Sequence, residues 1–330
     1  MLKKLLLGLL IITMLIALTG CGSQNKEEGK ITVVLDWTPN TNHAGLYVAQ
    51  ALGYYEELGL EVEIIQPPED GALPLLAAGR ADFAVSFQEE ILTAIASAQS
   101  LPVTAVAAIL QHNTSGIISL AQKKITSPRD MVGKSYATWG LPIEQAIIRE
   151  VMNREGADFA RLRLIPNTVT DVIAALQTDI DCVWVYYGWD GVATEVAGLD
   201  TNYFAFADID PVFDFYTPVL AANNNYLEKF PEFTNYFLSA TAKGYKYCID
   251  NPKEGARILA EAVPELAGDL LYASMDYLAG KYRAKAPYWG FIDPGRWETF
   301  TDWLLENSLI KQAPEPGAGY TNAYLPGAGQ

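Results

Sequence analysis

Residues 35–46 read LDWTPNTNHAGL and connect a strand-like apolar run, 31–35, with a helix-like run, 44–52. The side chains of this segment that can stack or form hydrogen bonds are Asp36, Trp37, Asn40, Asn42 and His43. In open α/β sheets, ligands bind at the carboxyl ends of strands, where such a turn lies. The pattern therefore predicts a turn that binds a planar, polar molecule. The alternative is an ordinary β–α turn in which Thr41 or Asn42 caps the helix and Trp37 lies in the core.

The longer segment at residues 35–64, LDWTPNTNHAGLYVAQALGYYEELGLEVEI, resembles the opening of the ThiY-type solute-binding proteins. These lipoproteins deliver pyrimidine precursors of thiamine to ABC importers, and the eukaryotic hydroxymethylpyrimidine phosphate synthases share the opening and the fold. The similarity covers residues 30–310 and is densest at 35–55 and 79–92. The resemblance implies a monomer with a two-lobe, type II periplasmic-binding-protein fold of the α/β class. Its ligand cleft lies between the lobes, and its partners are a permease and the ATPase that drives it.

Alternating strand-like and helix-like runs independently predict an α/β fold. The predicted organisation is a signal peptide at 1–20, a tether at 21–30, a first part of lobe 1 at 31–112, lobe 2 at 113–212, and a mainly helical second part of lobe 1 at 213–330. In this organisation the chain crosses between the lobes twice. Two such connections form a hinge that can close over a ligand.

The amino terminus predicts export. A basic head with Lys3 and Lys4 precedes an apolar run that is too short for an ordinary membrane-spanning helix. The run ends in LTGC, which resembles a bacterial lipobox with Cys21 as the lipidated residue. We therefore expect an extracytoplasmic protein that is anchored to the bacterial cell membrane by a lipid on Cys21. The alternative is an uncleaved membrane anchor.

Composition excludes several function classes. The 330 residues include 39 acidic and 23 basic ones, for a net charge of −16, which argues against a nucleic-acid surface. Apart from Cys21 the chain has only Cys182 and Cys248, with no CxxC or His-rich spacing, so the sequence predicts no zinc site. We expect two buried free thiols, no metal and no cofactor.

A second candidate segment is Ser86-Phe87-Gln88-Glu89 at the end of a predicted strand. Serine followed three residues later by glutamate predicts a capping box, in which Glu89 reaches back to Ser86. Ser86, Phe87 and Glu90 remain candidates to face a ligand. The sequence leaves open whether Glu89 or Glu90 reaches the cleft.

A third candidate is Trp139-Gly140, directly before a predicted helix at 143–155. Backbone N–H groups at a helix start have no partner within the helix and can bind an acceptor on a ligand. The alternative is plain helix capping with no ligand.

The fourth candidate is the segment YYGWD at 186–190, where a strand again ends before a helix. ThiY-type relatives carry a similar aromatic segment that ends in an acidic residue, so Tyr186, Tyr187, Trp189 and Asp190 are candidate ligand residues. Adjacent strand residues point to opposite faces, so only one of the two tyrosines faces the cleft. The alternative is that the rings pack inside lobe 2 while Asp190 caps the helix.

An aminopyrimidine would suit these groups chemically. Its ring can stack between Trp37 and a tyrosine from 186–187. A carboxylate can accept from the exocyclic amine and from a protonated ring nitrogen beside it, with Asp190 as first choice and Glu90 as second. Asn40 can read a formyl or hydroxymethyl substituent, and His43 can donate a hydrogen bond. In the related synthases, the histidine that matches His43 takes part in the reaction.

Two other functions compete with this interpretation. The first is an enzyme that resembles the pyrimidine-phosphate synthases. The segment LDWTPNTNHAGLYVAQ holds no lysine for a Schiff base, and the chain has no GxSxG, P-loop or HExxH motif, so the sequence predicts no enzyme. The second is a binder of riboflavin or of a sulfonate, taurine or nitrate. An anion site would favour Arg, Lys or bare helix N-termini over carboxylates, and the two strongest candidate turns carry Trp, Tyr, Asn, His and Asp but no Arg.

Overall fold

The computed structural model describes residues 29–328. The predicted signal peptide at 1–20 and the lipidation at Cys21 lie outside the described residues. Residues 31–328 belong to one compact unit, which contains every residue of the buried cores. Within the described range, no helix combines the length and apolar character that a membrane crossing requires.

Ten strands form two five-stranded sheets in the described part of the chain. The first sheet holds β1 (Lys30–Val34), β2 (Glu61–Ile65), β3 (Phe83–Ser86), β4 (Val103–Ala108) and β10 (Val219–Asn223), in the order β2-β1-β3-β10-β4. The second holds β5 (Ser115–Leu120), β6 (Ser135–Thr138), β7 (Arg163–Pro166), β8 (Cys182–Tyr186) and β9 (Thr201–Ala205), in the order β7-β6-β8-β5-β9. We call each sheet with its helices a lobe, lobe 1 for the first sheet and lobe 2 for the second.

The two sheets share one plan. β1 runs parallel to β3, and β6 runs parallel to β7 and β8. In the fourth place of each sheet lies one antiparallel strand, β10 in lobe 1 and β5 in lobe 2. The chain passes to the second sheet between β4 and β5 and returns between β9 and β10. The predicted α/β fold is thus confirmed, whereas the lobe limits at 112/113 and 212/213 stay predictions.

Helices connect these strands and cover the sheets. Those of the described residues are α1 (Ala44–Ala51), α2 (Ala72–Ala77), α3 (Gln88–Ile95), α4 (Pro142–Arg154), α5 (Val172–Leu176), α6 (Val192–Val196), α7 (Phe206–Ile209), α8 (Asn224–Lys229), α9 (Pro231–Asp250), α10 (Pro252–Ala262), α11 (Asp269–Ala279) and α12 (Pro294–Glu306). The second part of lobe 1, predicted as mainly helical, also supplies β10. This strand is buried along its whole length, so its sequence shows no alternation of apolar and polar residues.

Helix α1, which follows the first candidate turn, is fixed against α9 by a close approach of two glycines. A Cβ atom on Gly45 would lie 2.2 Å from the ring of Tyr245, and one on Gly244 would lie 2.0 Å from the Gly45 carbonyl oxygen. The Tyr245 hydroxyl also donates to the Asn42 carbonyl at 2.7 Å. The first candidate turn is therefore held firmly on lobe 1.

The two remaining cysteines are buried and free, as predicted. Cys182 begins β8, and Cys248 lies on the buried face of α9.

Candidate functional site

A cavity of about 450 Å³ is lined by residues of both lobes. Its walls come mainly from the segments that follow β1 and β3 in lobe 1, and β6, β7 and β8 in lobe 2. The strand order reverses between β1 and β3 in the first sheet and between β6 and β8 in the second. Open α/β sheets bind ligands at such points. The lining residues are Asp36, Trp37, Thr38, Asn40, Asn42, Phe87, Trp139, Thr168, Val169, Thr170, Trp184, Tyr186, Trp189, Asp190, Thr217 and Pro218.

The cavity brings together most of the residues that the sequence singled out. Those on its wall are Asp36, Trp37, Asn40, Phe87, Trp139, Tyr186, Trp189 and Asp190. Four other candidates, His43, Ser86, Glu90 and Tyr187, do not line it. Whether the wall residues bind a ligand stays a prediction.

His43 lies behind the first turn and orients Asp36. Its Nδ1 accepts the Asn40 backbone N–H at 3.1 Å, so the ring proton sits on Nε2, which donates to Asp36 Oδ1 at 2.7 Å. His43 is fully buried. The expected hydrogen bond from His43 to a ligand does not fit this arrangement, because its ring N–H is already used by Asp36.

The alternative interpretation of the first turn, in which Thr41 or Asn42 caps the helix and Trp37 lies in the core, is wrong on both points. Asn40, and neither Thr41 nor Asn42, is the N-cap: its Oδ1 accepts the Asn42 N–H at 2.9 Å, at the start of a short 3₁₀ helix. Trp37 is 51% exposed and lies on the cavity wall, so it is not a core residue. The Asn40 amide also donates to the Thr38 carbonyl, which leaves it one N–H for a ligand.

The predicted capping box at Ser86 and Glu89 is wrong. Ser86 is still a strand residue and Phe87 is the N-cap of α3, so the serine stands one residue too early. Its hydroxyl instead donates to Glu90 Oε2 at 2.8 Å. Glu89 Oε2 is buried with no hydrogen-bond partner in the described range, and burial raises the pKa of Glu89 to about 8. Neither carboxyl group reaches the cavity wall.

The backbone N–H groups of Trp139 and Gly140 are not free for a ligand, contrary to prediction. Glu144, in the first turn of α4, folds back and accepts both N–H groups at 3.0 Å. The same carboxylate accepts from the Tyr136 hydroxyl at 2.6 Å and the Thr138 hydroxyl at 2.9 Å. A buried side chain of the protein thus fills the acceptor position that the sequence offered to a ligand. Only the Trp139 ring contributes to the cavity.

The YYGWD segment after β8 forms a π-helix over Tyr187–Gly191. Single-turn π-helices of this kind are rare in proteins overall, and those that occur are often found at functional sites. Here Tyr186 faces the cavity, whereas Tyr187 packs outside it against Tyr203, with ring centroids 4.5 Å apart. The structure therefore resolves which tyrosine faces the cleft.

Asp190, on the same π-helix, has no ion-pair partner among residues 29–328. Burial raises the pKa of its carboxyl group to about 6, and this effect outweighs a hydrogen bond from the Tyr186 backbone N–H that lowers it. A carboxyl group in this state gains from any ligand that brings a proton or a positive charge.

Sequence reasoning missed several wall residues. Thr168 and Thr170 follow β7, and Thr217 lies just before the unpredicted strand β10. Trp184 could have been found, because it lies two residues before Tyr186 on the same strand and so on the same face. One of these residues, Trp184, carries a buried polar atom with no partner in the described range, its Nε1, whereas the Thr217 hydroxyl pairs with the Tyr186 hydroxyl.

The cavity has a distinct chemical character. Six aromatic residues line it, together with two carboxylates, Asp36 and Asp190, and no Lys, Arg or His. Such a wall favours a flat ligand that carries hydrogen-bond donors or a positive charge, and it disfavours an anion. Within residues 29–328, no cluster of three His, Cys, Asp or Glu residues could hold a metal ion.

Comparisons with known proteins show the family and the fold. The sequence model of the family described as NMT1/THI5-like matches residues 40–255. The formylaminopyrimidine-binding protein of Halalkalibacterium halodurans is 28% identical over 317 residues, 92% of this chain and 94% of the relative. A 4-amino-5-hydroxymethyl-2-methylpyrimidine phosphate synthase of Legionella pneumophila is 27% identical, over 91% of this chain and 93% of the relative. Among solved structures, the periplasmic aliphatic sulphonate-binding protein SsuA of Escherichia coli matches with a TM-score of 0.68 at 14% identity, over 89% of this chain and 97% of that chain.

Proposed function

The chain belongs to the NMT1/THI5-like family and has the two-lobe fold of periplasmic binding proteins, and from this premise we propose that it captures an aminopyrimidine precursor of thiamine for an ABC importer. Its general role is solute binding. The ligand would be of the hydroxymethylpyrimidine or formyl-aminomethylpyrimidine type.

One observation carries the choice of ligand class: the cavity combines six aromatic residues with two carboxylates and no basic side chain. An aminopyrimidine offers a flat π face, an amine donor and ring nitrogens that can be protonated. Its size suits a cavity of about 450 Å³, which lies in the usual range for small-molecule sites. The relative from Halalkalibacterium halodurans, named as a formylaminopyrimidine-binding protein over nearly the same length, supports the same class.

Residues of both lobes would contact the ligand, each through a different interaction. Trp37 of lobe 1 and Tyr186 of lobe 2 supply the rings between which the pyrimidine stacks. Asp190 accepts from the amine and from the protonated ring nitrogen beside it, because two parallel charge-assisted hydrogen bonds fix the ring orientation. The unpartnered Trp184 indole N–H is then available to the other ring nitrogen.

Closure of the lobes would convert binding into transport. The two crossings between the sheets form a hinge, and a ligand that touches both walls favours the closed arrangement. The permease partner recognises that arrangement because only then do the two lobe surfaces stand together. We propose that the protein acts as a monomer outside the cytoplasm, held to the membrane by a lipid on Cys21.

The function includes no catalytic step. Relatives named as synthases share the fold, but the cavity wall of this chain holds no lysine and no histidine that could act as a covalent or acid–base group. His43 faces Asp36 instead of the cavity. Binding without turnover is therefore the proposal that fits this wall.

Isothermal titration tests the ligand class. The chain from residue 22 retains the whole compact unit and is titrated with 4-amino-5-hydroxymethyl-2-methylpyrimidine and with its formyl-aminomethyl analogue. We expect a Kd in the micromolar range or below for at least one of them, on the order of −8 kcal/mol or better. Riboflavin and taurine are the control ligands. Tight binding of either, with silence from both pyrimidines, would retain the solute-binding role and reject the proposed ligand.

A separate experiment tests the anchor. In a bacterial host, Cys21→Ala should abolish incorporation of labelled fatty acid, since a lipobox cysteine is the site of attachment. The variant should also accumulate unprocessed or leave the membrane fraction. Cys182→Ala, which changes a buried thiol, is the control and should label normally. Undiminished labelling of Cys21→Ala would contradict the lipoprotein assignment.

A further inference from the structure

Helix α11 lies outside the cavity yet contacts both of the turns that form its opposing walls. It packs on α10 of lobe 1 and also on α6 and the π-helix of lobe 2. It further contacts the 3₁₀ helix Thr41–His43 of the first turn. One helix thus touches the backbone segment that presents Asn40 and Asn42 and the segment that presents Trp189 and Asp190.

A single hydroxyl group on α11 joins these two segments. Ser274 is fully buried, and its Oγ lies 2.6 Å from Thr41 Oγ1. Ser274 also donates to the Gly188 carbonyl oxygen of lobe 2. Because a carbonyl only accepts, the one Ser274 proton goes to Gly188, and Thr41 must therefore donate to Ser274. The result is a directed chain of hydrogen bonds from lobe 1 through α11 to lobe 2.

Packing around this chain leaves little space. Leu278, one turn after Ser274, lies so close to Gly188 that a Cβ atom there would stand 2.7 Å from Leu278 Cδ2. Tyr277 of the same helix stacks near Tyr187, with centroids 5.2 Å apart. Helix α11 therefore packs closely against the π-helix, and this packing requires that residue 188 has no side chain.

We propose that Ser274 is a positioning residue that holds the two cavity walls together from outside the cavity and thereby slows release of the ligand. The proposal rests on the proposed function only for the kinetic test, which needs a bound ligand. Ser274 touches no ligand in this scheme. It couples the first turn to the π-helix, so loss of its hydroxyl lets lobe 2 move away from lobe 1.

The kinetic test compares Ser274→Ala with the wild type by stopped-flow fluorescence. Loss of the two hydrogen bonds that join the walls should raise the dissociation rate roughly tenfold. The association rate should change less than about threefold, since encounter takes place before the walls meet. Asp276→Ala, on the exposed face of the same helix, is the matched control and should leave both rates unchanged.

A second variant guards against a folding defect in Ser274→Ala. Thr41→Val keeps the shape of the buried side chain but removes the hydroxyl that donates to Ser274. It should shift the dissociation rate in the same direction and by a smaller factor. Folding of every variant is checked by circular dichroism. An unchanged dissociation rate in both folded variants overturns the proposal.

A ligand-independent measurement separates this proposal from the proposed function. Spin labels at Glu69→Cys in lobe 1 and Leu141→Cys in lobe 2 report the distance between the lobes, since both positions are exposed and the native thiols at 182 and 248 are buried. Without ligand, Ser274→Ala should give a longer and broader distance distribution than its parent. If no pyrimidine binds but this shift occurs, the positioning role stands and the ligand class fails. Identical distributions in parent and variant refute the positioning role.

Discussion

Replacing Glu144 with alanine should lower the free energy of unfolding by about 3–5 kcal/mol. The buried carboxylate accepts four hydrogen bonds, two from backbone N–H groups and two from hydroxyl groups. Removal leaves the buried Tyr136 and Thr138 hydroxyls and the partly buried Trp139 N–H without this acceptor, and each unsatisfied donor costs free energy. The Gly140 N–H keeps its second bond, to Thr138 Oγ1 at 3.0 Å. Burial and the adjacent Glu144 charge also raise the pKa of Tyr136, so the phenol keeps its proton and remains a donor.

Urea denaturation followed by circular dichroism measures this effect. Glu150→Ala is the matched control, because it makes the same change on the same helix at a surface pair with Arg154. An exposed pair of this kind is worth less than about 1 kcal/mol. A loss of that small size in Glu144→Ala would show that water or a neighbouring group replaces the carboxylate.

Replacing Asp190 with alanine should weaken pyrimidine binding by about 2–4 kcal/mol, roughly 30- to 1000-fold in Kd. The variant removes the acceptor of two charge-assisted hydrogen bonds and leaves the ligand donors unpaired in the cavity. Calorimetry under the conditions of the wild-type titration gives the change. Asp208→Asn on α7, an exposed position in the same lobe, is a control that removes one charge of the same sign and should leave Kd unchanged.

The pH dependence follows from the same group. The complex holds one proton between the ligand ring and Asp190, whose pKa in the free protein is about 6. Above pH 6, and above the pKa of the ring nitrogen in the free ligand, this proton must be taken up from solvent. The affinity should then fall by up to tenfold per pH unit as the pH rises to 8.5. Titration in two buffers of different ionisation enthalpy reports the proton uptake directly. A Kd constant between pH 6 and 8.5 would mean that Asp190 accepts from the amine alone.

Much of the fold and of the cavity could be predicted from sequence because strand ends are easy to recognise. Trp37 and Asp190 stand directly after apolar runs, and the topology of α/β sheets places such residues at one edge. The same reasoning placed Tyr186 near the cavity but could not separate it from Tyr187. That choice depends on where the strand gives way to the π-helix.

The errors have a common physical origin. Ser86 and Glu89 have the spacing of a capping box, but the strand extends one residue further than the motif allows. Similarly, the N–H groups at Trp139 looked available because the sequence does not show that Glu144 folds back onto them. In each case the short sequence motif was present, but the folded structure around it determined which groups formed hydrogen bonds.

The Glu144 contact also affects how much conformational entropy the site loses when a ligand binds. The backbone at Trp139 is fixed before any ligand arrives, and its ring rests 5.4 Å from that of Trp184. Trp37, by contrast, is half exposed on the opposite wall. A side chain that loses rotamer freedom on binding subtracts from affinity. Trp139 therefore meets the ligand on a preorganised backbone, and Trp37 loses more side-chain entropy on binding than Trp139 does.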